Sequence, residues 1–191
     1  MHNKDYNSLF RDVPGLETQR LILRPFRYSD IDEYIRFFRT EEVQQHLGGV
    51  LIPKDEADAK RWIDNLNGRC LRSKLVFTWA VEFKQDKRII GRCDLGGFVK
   101  KSMAEISYYL SSEMWHKGIM QEAMAAVLSF AFKDLKLHRV QALVLPDNTA
   151  SARLLQNLGF THEGLLRKYD YGKGFSDVQM FSILDEDYFK C

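Results

Sequence analysis

The chain has 191 residues, 45% of them hydrophobic and 13% aromatic, which suffices for one sizeable core and is short for two independent domains. Its 28 basic residues against 26 acidic ones leave a formal charge of +2, so charge selects neither nucleic acid nor an anionic membrane as a partner. Cys70, Cys93 and Cys191 are odd in number, far apart and free of any CxxC or Cys/His cluster, which argues against a disulfide framework and a zinc site.

No apolar run approaches the roughly 20 residues that a bilayer-spanning helix needs, and the opening MHNKDYNSLFRD is polar. A soluble, cytoplasmic protein is expected, with a flexible segment over 1–15 and one domain over 16–191. His2, His46, His116, His138 and His162 contain neither HExxH nor an i, i+4 pair, so no metal is expected.

In chain order, RLILRPF (20–26) has strand-like composition. Ser29 then offers an N-cap to a helix whose Ile31, Tyr34, Ile35 and Phe38 repeat at helical spacing. Residues 41–70 read as two helical pieces broken at Gly48-Gly49, the second starting at Pro53 with Asp55 and Glu56 in its first turn. FTWAVEF (77–83), RIIGRCDLGGFV (88–99) and AEISYYL (104–110) read as an antiparallel meander. From Ile119 to Leu135 an apolar stripe with helical period marks the longest helix.

RVQALVLP (139–146) reads as a strand buried on both faces, stopped at Pro146-Asp147-Asn148 before the helix TASARLLQNL. Gly159 caps that helix, with Phe160 placed to pack on Leu155 in a Schellman-type ending. Two strands around Tyr171-Gly172-Lys173-Gly174 close the chain.

Chemistry concentrates where the third meander strand meets the long helix, in YYLSSEMWHKGIM (108–120). The first N–H groups of a helix lack internal partners and carry roughly half a positive charge, so they can hold a phosphate, and Gly118 permits close approach. Alone, a glycine near a helix start is more often only a turn, and neither a Walker A nor a GxGxxG motif is present.

Four ordered blocks supply the context: LETQRLILRPF, AEISYYLSSEMWHKGIMQEAM, LHRVQALVLPDNTASARLLQNLGFTHEGLLR and YGKGFSDVQMFSIL. Together, over residues 16–187, they resemble the GCN5-related N-acetyltransferase (GNAT) superfamily, and within it the RimJ/RimL-type ribosomal-protein N-terminal acetyltransferases. The resemblance implies an α/β (α+β) single-domain fold. Its mixed, mostly antiparallel central sheet has about seven strands, is flanked by helices and splays at the coenzyme site.

The superfamily's coenzyme loop, Q/R-x-x-G-x-G/A, falls on Trp115 to Met120; only Gly118 matches, and Met120, in place of a small residue, narrows the loop. The resemblance implies that backbone amides of His116, Lys117, Gly118, Ile119 and Met120 face the pyrophosphate of acetyl-CoA. Leu110, at the splayed strand end, pairs with the pantetheine arm. Asn148-Thr149-Ala150-Ser151 resembles the family's N-x-x-S, in which the Asn binds pantetheine and the Ser lies near the thioester sulfur. Read without the family, Asn148 is an N-cap.

Attack on a thioester needs a neutral amine. At pH 7 a lysine is about 0.04% neutral and an α-amine about 14%, so an α-amine needs less help. A carboxylate general base is still wanted. Asp170 matches the acidic residue that resembles the base of RimL-type proteins, although Asp is shorter than the usual Glu and a solvent-facing turn is its alternative. Glu105 shares a strand face with Ser107 and Tyr109 and could face the acceptor cleft; its alternative is a cross-strand ion pair. Ser151 is the candidate acid for the departing thiolate, and Cys93, inside a strand with no Cys-His-Asn set, is read as structural.

The functional expectation is acetyl transfer from acetyl-CoA by direct attack in a ternary complex. The acceptor is a primary amine, foremost the α-amine of a protein N-terminus such as a ribosomal protein. Competing readings are acetylation of a polyamine or aminoglycoside, a non-catalytic acyl-CoA sensor, and an interaction domain that binds neither. No nucleic-acid or membrane partner is expected, and a monomer or homodimer is left open.

Overall fold

A computed structural model describes residues 12–44, 53–73, 76–100, 102–170 and 174–190. The Gly48-Gly49 break, most of the final turn (Tyr171-Gly172-Lys173), His2, His46, Cys191, the side chain of Cys70 and residues 1–11 lie outside the described residues.

Eight strands form one sheet in the order β1-β2-β3-β4-β5-β6-β8-β7. They are β1 (Leu16–Glu17), β2 (Leu21–Arg24), β3 (Val76–Phe83), β4 (Ile89–Val99), β5 (Met103–Leu110), β6 (Arg139–Val144), β7 (Thr161–Asp170) and β8 (Phe175–Leu184). The expected meander is β3-β4-β5, and the strand beyond the expected seven is the two-residue β1. Every neighbouring pair is antiparallel except β5 with β6.

That parallel pair matches only Met103 with Arg139, Ala104 with Val140 and Glu105 with Gln141. Beyond Glu105 and Gln141 each strand runs on without the other, β5 to Leu110 and β6 to Val144, and the sheet opens into a fork.

Helices cover both faces because the strands alternate. On one side, α4 (Ile119–Ser129) and α5 (Thr149–Asn157) bury Met124, Val127 and Leu155 against Ala104, Ile106 and Val140. On the other, α1 (Ile31–Phe38) and α3 (Glu56–Ser73) bury Tyr34, Phe38, Ile63 and Leu66 against Ala80 and Ile89. Two short helices, α2 (Glu41–Gln44) and α6 (Asp185–Tyr188), complete the described α-helices.

Several expectations are corrected in detail. β6 is not buried on both faces: Val140, Ala142 and Val144 are buried, while Arg139, Gln141 and Leu143 are partly exposed. The cause is the reach of α1 and α3, which pack on β4 and β3 and leave the far half of that face uncovered. Ser29 does not cap α1, because Tyr28–Asp30 form a 3-10 turn leading straight into it, and the Asp30 carboxylate accepts the Arg27 N–H at 2.7 Å. α3 begins at Glu56, three residues after Pro53, with Asp55 Oδ1 accepting the Asp58 N–H at 2.7 Å as the true N-cap contact. The long helix changes at Phe130 to a π-helical turn, Phe130–Asp134, in which the Leu135 N–H reaches back to the Phe130 carbonyl.

The ending of α5 is as read. Phe160 N–H donates to the Leu155 carbonyl and Gly159 N–H to the Gln156 carbonyl, both at 3.0 Å, with Gly159 at φ 88°, the two bonds of a Schellman motif. This ending turns the chain from α5 directly into β7.

The start of the domain is locked by charge. Buried Arg24 donates through Nε to Glu82 (2.6 Å) and through Nη1 and Nη2 to Asp30 (2.8 and 2.9 Å), tying β2 and β3 to the entry of α1. One guanidinium thus neutralises two buried carboxylates, each of which would be costly alone.

Candidate active site

A cleft of about 480 Å³ lies at the fork and is lined from four directions. β5 contributes Tyr108, Tyr109 and Leu110; the following turn and α4 contribute Trp115, His116, Gly118, Ile119 and Met120; α5 contributes Asn148, Ser151 and Arg153; and α2 contributes Glu42.

The loop ahead of α4 turns through two left-handed residues. His116 (φ 59°) and Gly118 (φ 68°) are both left-handed, and Gly118 is the N-cap of α4. Glycine holds that conformation at little cost, whereas other L-residues incur roughly 1–2 kcal/mol. Lys117 does not line the cleft; its carbonyl accepts a hydrogen bond from Arg20 Nη1 at 3.0 Å. Met120 keeps its side chain largely in the core, 6% exposed, with its sulfur 3.7 Å from Cys93 Sγ, so it supports the cleft floor more than it narrows the loop.

Leu110 ends β5 with its carbonyl accepting from Trp115 Nε1 at 3.0 Å, which pins the tryptophan across the strand end. Asn148 caps α5: its Oδ1 accepts the Ser151 N–H at 3.1 Å, and the residue still lines the cleft, so capping and ligand contact are compatible. Ser151 Oγ lies 2.7 Å from Tyr108 Oη, either being able to donate.

The two candidate bases are placed differently. Asp170 ends β7 opposite Phe175, while β6 ends with Val144 opposite Gln179 on β8, so the β7–β8 hairpin overshoots β6 by four residues, about 13 Å. That overshoot lies at the end of the sheet where Leu110 and Asn148 sit. A bulge between Leu166 and Tyr169, with Lys168 at φ 53°, re-aims the strand just before Asp170. Glu105 stands at the base of the fork, five residues or about 16 Å short of Leu110. Its expected ion-pair partner is replaced by a neutral one, Gln141 Nε2 at 3.3 Å. Burial pushes the Glu105 carboxyl above its ordinary range, the Gln141 bond opposing only in part. Neither carboxylate lines the cleft itself.

The sequence profile of the acetyltransferase (GNAT) domain family matches residues 20–161. The chain belongs to this family. The uncharacterized N-acetyltransferase p20 of Bacillus licheniformis is 34% identical to this GNAT chain over 175 residues, covering 91% of this chain and 97% of that one. A crystal structure of the ribosomal-protein-S5-alanine acetyltransferase from Vibrio fischeri matches with a TM-score of 0.73 at 26% identity, covering 92% of this chain and 98% of that one. The RimJ protein of Mycobacterium smegmatis, in complex with CoA-disulfide, shares the fold with a TM-score of 0.79 at 23% identity, covering 91% and 88%. GNAT enzymes use acetyl-CoA.

Several features of this GNAT cleft escaped the sequence reading. The alternation of β5 puts Tyr108 on the face opposite Glu105, with buried Ala104 and Ile106, the face that α5 packs on. Glu42 and Arg153 carried no motif signal. Arg20 sits in a block recognised for its family pattern, with nothing in the pattern linking it to a loop 97 residues away.

Proposed function

We propose that this acetyltransferase moves the acetyl group of acetyl-CoA to the α-amine of a protein N-terminus, with a ribosomal protein as the leading class. The observation that carries the reading is the hydroxyl pair Tyr108–Ser151, which lines the cleft at the fork together with the loop that opens α4.

The residues present fit a pyrophosphate-linked thioester. His116, Gly118, Ile119 and Met120 provide N–H groups at the positive end of α4, without a side chain at Gly118 to obstruct approach. Leu110 and Asn148 offer backbone and amide groups for the pantetheine arm where β5 and β6 part.

In the reaction the neutral amine attacks the thioester carbon, the C–N bond forms, and the C–S bond breaks as the tetrahedral intermediate collapses. Asp170, directly or through water, takes the proton that the amine gives up. Ser151 donates to the departing thiolate, whose conjugate acid has a pKa near 8.5, so one hydrogen bond or proton is sufficient help. Tyr108 orients the Ser151 hydroxyl and can replace the proton it gives. No acyl-enzyme is needed.

Glu105 is the second reading for the base, favoured by its burial-raised carboxyl at the base of the fork, where its partner among the described residues is the neutral Gln141. For the acceptor, the S5-alanine acetyltransferase likeness supports an N-terminus over a polyamine or aminoglycoside. A thiol-release assay with acetyl-CoA against N-terminal peptides, polyamines and aminoglycosides, with product masses measured, tests the acceptor and the transfer itself. Turnover of small amines alone would overturn the acceptor, and coenzyme binding without any turnover would leave a sensor.

A further inference from the structure

Arg20 lies in the β1–β2 turn, outside the cleft, yet it reaches the loop that frames the cleft. Its Nη1 donates to the Lys117 carbonyl at 3.0 Å. Its Nε donates to Glu122 Oε2 at 2.6 Å and its backbone N–H to Glu122 Oε1 at 2.8 Å, while Thr18 Oγ1 donates to the same Oε1 at 2.5 Å. Arg20 Nη2 also stands 3.7 Å from the point where a side chain on Gly118 would begin.

Two physical consequences follow from this geometry. A trans peptide is planar, with its C=O and N–H pointing in opposite directions. Holding the Lys117 carbonyl toward the β1–β2 turn therefore aims the Gly118 N–H the other way, and Gly118 lines the cleft. Glu122, in turn, is the acidic residue in the first turn of α4. A carboxylate left free there would occupy the favourable field of the helix terminus and repel an incoming phosphate. Clamped by Thr18 and Arg20, it is neutralised and fixed on the side of the β1–β2 turn.

We propose that Arg20 is a positioning residue for the coenzyme pyrophosphate, setting the plane of the Lys117–Gly118 peptide and neutralising Glu122 so that the loop amides are presented to an anion. The inference rests on acetyl-CoA occupying this cleft. Planarity matters, because the guanidinium serves a carbonyl and a carboxylate at once from one rigid fork, which a lysine ammonium cannot reproduce. The contact spans 97 residues of sequence and brings a residue of the β1–β2 turn to the loop that opens α4.

The test compares ligands with and without the pyrophosphate. Calorimetry on Arg20→Ala and Arg20→Lys is done with CoA, and with pantetheine by competition against CoA, alongside steady-state kinetics with acetyl-CoA. Arg20→Ala is expected to weaken CoA about tenfold or more and pantetheine less than twofold, with the kinetic loss appearing in KM for acetyl-CoA rather than in kcat. Arg20→Lys should recover only part of the CoA affinity. Equal losses for CoA and pantetheine would overturn the proposal in favour of a general structural role, as would unchanged CoA affinity in a folded variant. Should Arg20→Ala fail to fold, Arg20→Lys decides alone: CoA affinity equal to that of the parent overturns the proposal. A parent protein that does not bind CoA would instead defeat the underlying assignment of the cleft.

Discussion

Tyr108 Oη and Ser151 Oγ stand 2.7 Å apart, joining β5 to the first turn of α5 across the fork. If the pair acts as a unit on the departing thiolate, Tyr108→Phe should lower kcat severalfold and Ser151→Ala about tenfold or more, with CoA affinity nearly intact. The double variant should be no slower than Ser151→Ala, because removing the serine already breaks the chain. Additive losses, or a defect confined to CoA binding, would detach Tyr108 from the chemistry and move Ser151 to the pantetheine site.

The base assignment is separable by pH. Asp170→Asn should reduce kcat/KM at neutral pH and recover part of it at higher pH, where the acceptor is neutral without help. For an α-amine the recovery begins near pH 8, and for a lysine-like amine some two units higher. Should Asp170→Asn follow the parent at every pH while Glu105→Gln fails, the role passes to Glu105.

Glu105 also makes a stability prediction with a definite sign. Its folded-state carboxyl is raised by burial, so folding costs nothing extra below the unfolded value near 4.3, where both states are protonated. The cost grows as pH rises through the window between unfolded and folded values and is complete above it. Glu105→Gln, a neutral isostere, should therefore raise the urea midpoint at pH 7 and lose that advantage by about pH 4. A destabilised Gln variant at pH 7 would show that the carboxylate is better satisfied than its Gln141 contact indicates.

Gly118 distinguishes backbone from charge. A Cβ there meets nothing closer than 3.7 Å, so Gly118→Ala tests conformation alone, at a cost of about 1–2 kcal/mol for the left-handed φ of 68°. Gly118→Glu adds repulsion to the same strain. We expect CoA to bind Ala less tightly than the parent and Glu less tightly than Ala, the gap between the two narrowing at high salt. Equal affinity for all three by calorimetry would remove the loop from the coenzyme site.

Arg24→Leu should be the most damaging of these changes to the scaffold, since it strands Asp30 and Glu82 as buried carboxylates without their cation. A loss of about 3–5 kcal/mol in chemical denaturation is expected. A change below about 1 kcal/mol would mean that water reaches the pair.

The sequence made the strands and helices legible wherever side-chain period and burial agree, as in β3-β4-β5, α4 and the Gly159-Phe160 ending of α5. It failed where tertiary cover decides: the apolar run of β6 reads as doubly buried, yet the helices of one face stop short of it. Ser29 and Pro53 were reasonable local start signals, but Asp30 and Asp55 hold the better-placed carboxylates. At the candidate site, the Gly118 N-cap of α4 and the Asn148 cap on the Ser151 N–H are legible as local backbone features, whereas the role proposed for Ser151 rests on the family resemblance. Tyr108 and Arg20 act across 43 and 97 residues, distances over which a single sequence carries no geometric information.

The fork has a mechanical side as well. Three residue pairs join β5 to β6, against six between β6 and β8, so the sheet is two leaves with a narrow seam between them. A ligand lodged in that seam, touching Leu110 on one leaf and the Asn148 turn beyond the other, acts as a splint. Its binding energy then resists separation of the leaves, and the protection it confers on the folded state by mass action reaches strands that it never touches.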